Sequence, residues 1–277
     1  MPAPGRIDPA VIATYLRWWG PLVRRMWPGT LHGLEHLPDG GRFLIVANYS
    51  GMGIAELWSL ILAWWERFGH ARPLAGMAHP GAFHVPPVRY FVDGLGGVPA
   101  TREGAARAVA AGAPMLLFPG GDHEATRPFW RPSQVDFAGR KGWIALAREH
   151  RLSIVPLAIT GSHNTLPILA RGRALSWLIG TRALGVHRAP LTVLSVAAAA
   201  STASVSRLAG ASWWTASAVA WASVWATTAL PWLPSRIGFR FLPAIDATEL
   251  ADPSRDDALY ARVVGALQRA VEAGHAA

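Results

Sequence analysis

The stretch Met115-Leu116-Leu117-Phe118-Pro119-Gly120-Gly121-Asp122-His123-Glu124-Ala125-Thr126-Arg127 joins an apolar run to a cluster of ionisable side chains through a Pro-Gly-Gly break. Met115 to Phe118 suit a strand buried on both faces, and the two glycines let the backbone turn sharply or approach a ligand closely. The segment reads as the mouth of a binding site at a strand end.

The same grammar recurs on either side of it. A turn at Leu37–Gly41 releases the apolar run Arg42–Asn48, a buried strand. The small-residue turn Asn48-Tyr49-Ser50-Gly51-Met52-Gly53-Ile54-Ala55-Glu56 follows, then a helix from Leu57 to about Phe68. Pro73–His79 is a short strand, Val88–Leu95 a short helix or strand, Gly96–Glu103 a loop and Gly104–Ala111 a helix. A long polar loop leads from the opening stretch to Arg140, before a helix at Gly142–His150 and a strand at Ile154–Ile159. Strands alternating with helices predict an α/β fold with a mostly parallel central sheet flanked by helices.

The two ends differ in character. From Asp8 to Trp27 apolar residues recur at three- and four-residue steps, predicting an amphipathic helix capped by Asp8 and kinked or divided at Pro21. Residues 1–30 are therefore read as an interfacial helix, and 31–277 as one α/β domain. Between Leu191 and Ser235 the only charge is Arg207, and Leu208–Pro234 carries five tryptophans. That segment predicts an apolar, membrane-associated hairpin, spanning or interfacial, inserted before a last strand at Arg236–Phe241. An amphipathic helix from Asp256 to Ala273 closes the chain.

Charged residues make up 16% of the chain against 51% hydrophobic ones, and the net charge is +9 with 14 tryptophans. This balance points to an anionic membrane surface and membrane lipids as partners, on the cytoplasmic face. Nucleic acid is not expected, because the arginines are dispersed and the aromatics sit in apolar runs. The absence of cysteine excludes disulfides, thiolate chemistry and cysteine-held metals. No His and carboxylate spacing suggests a metal.

Four stretches in order, Ala47–Glu56, Gly96–Glu103, Phe118–Arg127 and Ile154–Gly161, resemble the glycerolipid acyltransferase superfamily. Phe118-Pro119-Gly120-Gly121 with Glu124 is most similar to the monoacylglycerol and diacylglycerol acyltransferase-like branch. The resemblance implies transfer of a fatty acyl group from acyl-CoA or acyl carrier protein, as co-substrate and with no bound cofactor, to a glycerolipid or lysophospholipid hydroxyl. It also implies that Arg102, with Glu103, faces the acceptor. Asn48, Ser50, Phe118, Pro119, Gly120, Gly121, Glu124 and Arg127 would line the substrate, the two glycines offering N–H donors to an oxyanion or a phosphate.

One departure stands out. The family's first block has a catalytic His where this chain has Tyr49, and the acid aligns with Glu56. A tyrosine, with an ordinary pKa of about 10, is a poor base. Glu56 can serve if desolvation raises its pKa. His123 reads either as a replacement base or as a solvated loop residue. The alternative function is an inactive, lipid-binding relative.

Overall fold

The computed structural model describes residues 7–40, 42–84 and 86–276. Helices α1 (Pro9–Trp18) and α2 (Gly20–Met26) lead into strand β1 (Gly29–His32). Strand β2 (Phe43–Ala47) is followed by α3 (Ile54–Phe68), β3 (Ala75–Ala78), α4 (Pro86–Gly94), β4 (Val98–Pro99) and α5 (Arg102–Ala110). Next come β5 (Met115–Leu117), the short α6 (Gly121–Ala125), α7 (Gly142–Glu149) and β6 (Ser153–Thr160). Strands β7 (Ile168–Gly172) and β8 (Ala189–Thr192) bracket α8 (Arg173–Ile179). Helices α9 (Val193–Leu208) and α10 (Trp213–Thr227) precede β9 (Ile237–Phe241) and α11 (Asp256–Ala276).

Seven strands form one sheet in the order β1-β9-β6-β2-β5-β3-β4. β2 to β6 run parallel to one another, Leu44 lying beside Met115 on one flank and Ile154 on the other. β9 runs antiparallel to β6 and carries β1 parallel to itself. Every residue of β2 is buried, and alternate side chains supply two cores. Phe43 and Ile45 pack with Leu60, Trp64 and Phe239 on one face, while Leu44 and Val46 pack with Phe137, Trp143 and Val263 on the other. An uninterrupted apolar run is what a strand covered on both faces requires. The five parallel strands therefore deliver Asn48, His79, Ala100, Phe118 and Gly161 to one edge of the sheet, where α/β proteins bind ligands.

The expected N-terminal helix divides at Trp19, just ahead of Pro21, and Asp8 caps it by accepting from the Ala10 N–H at 2.8 Å. Its inner face, Val11, Ile12, Tyr15, Val23 and Trp27, is buried in the protein's own core, whereas Trp18, Trp19 and Leu22 are exposed. Residues 1–6 of that expected helix lie outside the described ones. The opening stretch also differs in detail, since its polar loop coils into α6 directly after the glycines.

The apolar tail is a helical hairpin. α9 and α10 pack chiefly against each other, with Thr202 Oγ1 donating to Ser223 Oγ at 3.2 Å across the seam. Among the described residues no helix is long and apolar enough to cross a membrane. Leu208 and Trp214 are nevertheless 88% and 87% exposed. Arg207 lies over the Trp213 ring at 4.2 Å, which shields the one charge of the hairpin.

Candidate functional site

The edge of the sheet holds a polar cluster beside an apolar cavity. The loop after β2 enters it through Gly51, Met52 and Gly53, whose φ values of 57°, 65° and 74° make one tight left-handed turn. Glycine tolerates this; Met52 carries a strain of about 1–2 kcal/mol. The turn brings Glu56, in the first turn of α3, back under the loop, where its Oε1 accepts from the Ser50 N–H at 3.3 Å. Gly53 has no Cβ to spare, because one there would lie 2.7 Å from Tyr49 Cδ2.

On the other side, the Pro119-Gly120-Gly121 turn is clamped by Arg140, whose Nη1 donates to the carbonyls of Pro119 and Gly120 at 3.2 and 2.6 Å. A Cβ on Gly120 would strike Glu124 Cβ at 2.4 Å, so glycine there is what lets Glu124 fold inward. Glu124 Oε2 accepts from the Tyr49 N–H at 3.3 Å and Oε1 from the Asp136 N–H at 3.2 Å. Arg127 Nη1 lies 3.5 Å from the same Oε1. One carboxylate thus ties the β2 loop to the β5 loop.

Glu56 and Glu124 are each 1% exposed and Arg127 4%. Burial pushes the Glu56 carboxyl up to about 8, with the Ser162 hydroxyl and the Ser50 N–H offsetting only part of it. Burial likewise lifts Glu124 to about 8 against the pull of Arg127. Arg127 is itself lowered by burial, against the neighbouring carboxylates. Among the described residues, Glu56 Oε2 and Arg127 Nε have no hydrogen-bond partner. Tyr49 is pushed well above the usual phenol range, first by burial and then by Glu124 and Glu56, and its ring rests against Phe118 at 4.7 Å. A phenol so placed keeps its proton and is no base.

Below Tyr49 and Phe118 lies a cavity of about 500 Å³ lined by Ile12, Met52, Gly53, Trp58, Ile61, Trp65, Met77 and Phe91 among others. The inner faces of α1, α3 and α4 close it over the sheet. His79, at the end of β3, stands at its rim with Nδ1 accepting from the Gly81 N–H at 3.0 Å.

Not every residue singled out in the sequence joins this group. The Asn48 amide is occupied twice by the Ile159 backbone, at 3.0 and 2.8 Å, and locks β2 to β6. The Ser50 hydroxyl pairs with that of Ser162 at 2.9 Å. The Gly121 N–H bonds the Phe118 carbonyl at 3.2 Å, so it closes the turn and is no oxyanion donor in this arrangement. Arg102 and Glu103 are exposed at the start of α5, beyond the edge strand β4 and outside the hydrogen-bonded cluster. His123 is no solvated loop residue, for Asp136 Oδ2 lies 2.7 Å from its Nε2.

Sequence reasoning passed over Asp136, Ser162, His163, Arg171 and Arg188. Buried His163 donates through Nε2 to the Phe129 carbonyl at 2.6 Å, and burial lowers it to about 4, so it stays neutral. A usable signal was present for the arginines: no Asp or Glu occurs between Glu149 and Asp246, leaving Arg171 and Arg188 without a local counter-charge.

The chain resembles the crystal structure of the 1-acyl-sn-glycerophosphate acyltransferase PlsC from Thermotoga maritima, with a TM-score of 0.52 at 16% identity, over 90% of this chain and 73% of that one. Residues 29–160 match the family model described as Acyltransferase. An uncharacterized protein of Mycobacterium leprae is 29% identical over 171 residues, 62% of this chain and 46% of its own length. One from Mycobacterium tuberculosis is 28% identical over 148 residues, 53% and 41% respectively. The chain spans less than half the length of these relatives.

Proposed function

We propose that the protein transfers a fatty acyl group from a thioester, acyl-CoA or acyl carrier protein, to a glycerolipid or lysophospholipid hydroxyl, with Glu56 as the general base. The observation that carries this reading is the position of Glu56. It lies behind Gly53 in the cavity wall, and a Cβ on Gly53 would be 3.8 Å from Glu56 Oε1. The acyl chain occupies the apolar cavity, and its thioester carbonyl comes to rest near Tyr49. As the acceptor oxygen bonds to the carbonyl carbon, its proton passes to the Glu56 carboxylate. Collapse of the tetrahedral adduct breaks the C–S bond, and the departing thiolate recovers that proton. A carboxyl near 8 is well matched to this exchange, because its conjugate acid can return what it takes. Purified protein should transfer labelled acyl groups from acyl-CoA to a lyso- or monoacylglycerolipid; no transfer to any acceptor sinks the reading.

Tyr49 favours a second reading, a lipid-binding relative without turnover. Tyr49→His discriminates between them. On the first reading the wild type is active, and the variant stays active with its pH optimum shifted down, since an imidazole titrates at about 6.5. On the second the wild type is silent and the variant gains activity.

The acceptor is drawn from a membrane. Support comes from the exposed Trp18, Trp19, Trp213 and Trp214 together with the net charge of +9, which suit an interface carrying anionic lipid and facing the cytoplasmic thioester pool. The protein should sediment with vesicles containing phosphatidylglycerol. Replacing Leu208, Trp213 and Trp214 by Ser should weaken that at least several-fold, and unchanged sedimentation removes the hairpin from the interface.

A further inference from the structure

Arg171 and Arg188 meet at His123, next in the chain to Glu124 of the polar cluster, and neither lines the apolar cavity. The β7–β8 ribbon pairs Arg171 with Pro190 and Gly172 with Ala189, which brings Arg188 to the same end as Arg171. Both reach back to α6. Arg171 Nη1 donates to the His123 carbonyl, and Arg188 Nη1 to His123 Nδ1. A guanidinium has no lone pair to offer, so Nδ1 is the acceptor, and Nε2 carries the imidazole proton and gives it to Asp136. His123 is thus a fixed strut with both nitrogens in use.

The charge in this corner is unbalanced. Among the described residues, neither Arg171 nor Arg188 has a carboxylate within ion-pair distance. Arg171 is lowered by burial and then by Arg188, and Arg127 and Arg131 act in the same sense, with Asp136 opposing. Holding two part-buried guanidiniums together costs energy that an anion between them would return. Each spends one N–H of its five on His123 and keeps a fork that matches phosphate oxygens. The place is also right, because Glu124, next in the chain to His123, touches the Tyr49 backbone where the cavity ends.

The geometry points to a phosphate subsite formed by Arg171 and Arg188, braced by His123 and Asp136, which holds a phosphate borne by one of the acyl-transfer substrates. The choice of substrates rests on the acyl-transfer reading; the binding of phosphate does not. The phosphate belongs either to the head group of a lysophospholipid acceptor or to the CoA of the donor.

Two measurements on the full chain test this. In the first, glycerol 3-phosphate and inorganic phosphate are titrated while the Tm is followed. The wild type should be stabilised in a saturable way, Arg171→Gln and Arg188→Gln should lose at least tenfold in apparent affinity, and Arg173→Gln, on the exposed start of α8, should not. No saturable stabilisation of the wild type, or an equal loss in Arg173→Gln, overturns the subsite. In the second, KM is measured with acyl-CoA as donor and lysophosphatidic acid or monoacylglycerol as acceptor. A tenfold rise in Arg188→Gln for lysophosphatidic acid alone assigns the acceptor phosphate, and a rise for acyl-CoA with either acceptor assigns the donor. Unchanged KM values throughout overturn the proposal. Phosphate binding that depends on Arg171 and Arg188, in a protein that transfers no acyl group, upholds the subsite while removing the acyl-transfer function.

Discussion

Glu56→Gln is expected to lower the turnover of acyl transfer by about 100-fold or more, the usual loss when a positioned general base is removed. The amide keeps the shape and the Ser50 hydrogen bond at 3.3 Å but has no proton-accepting charge. In the wild type the rate should climb with pH and level off above about 8, where burial places the carboxyl. The variant should lose that limb. Stability should move the other way. A carboxyl whose folded value is raised above its unfolded one favours the folded state most below the unfolded value, and that advantage is lost as pH rises through about 8. Unfolding free energy should therefore fall between about pH 5 and 8, by up to about 1.4 kcal/mol per pH unit for each such carboxyl. Glu56→Gln should flatten the slope and leave the protein firmer at pH 8. Full activity with an unchanged pH profile in Glu56→Gln would take this residue out of the mechanism.

Removing Glu124 is expected to be the most damaging change to the fold of the site. Glu124→Ala strands the Arg127 guanidinium, 4% exposed, with only the Pro132 carbonyl at 3.4 Å for company. It also deprives the Tyr49 and Asp136 N–H groups of their acceptor. A guanidinium cannot shed its charge to escape, so the loss should be about 3–5 kcal/mol in urea unfolding. Arg127→Met should cost less, about 1–2 kcal/mol, because the Glu124 carboxyl left behind can take up a proton instead. If the order of the two variants is reversed, the carboxylate is not the tie between the loops.

The strands and helices around the site are legible because their signals are local. Phe43–Ala47 is apolar without interruption, Met115–Leu117 ends at Pro-Gly-Gly, and both lie where the sheet puts them. Glu56 and Glu124 are readable for the same reason, each within one turn of a strand-end loop. Their protonation was not readable, since it depends on burial among groups from other parts of the chain, Ser162 beside Glu56, and Tyr49 and Asp136 beside Glu124. Arg171 and Arg188 were less accessible still. They meet at His123 only through the register of the β7–β8 ribbon, and Asp136 reaches the other ring nitrogen of that residue from an irregular loop without periodicity. The family block that suggests substrate contact at Asn48 conceals a structural task there, the double bond to Ile159.

The pairing of β1 with β9 places a demand on how the chain is made. Gly29 must find Ile237, about two hundred residues later, and the Met26 and Pro28 carbonyls likewise wait for the Ser235 and Ile237 N–H groups. While the ribosome is still translating the α9–α10 hairpin, β1 has no partner, and the buried face of α2 lacks the Leu233 carbonyl that receives the Trp27 indole N–H at 2.9 Å. Closure over so long a loop is entropically slow. The segment around β1 must therefore stay uncommitted until β9 has been made, with its tryptophans free to rest on lipid or on a chaperone meanwhile.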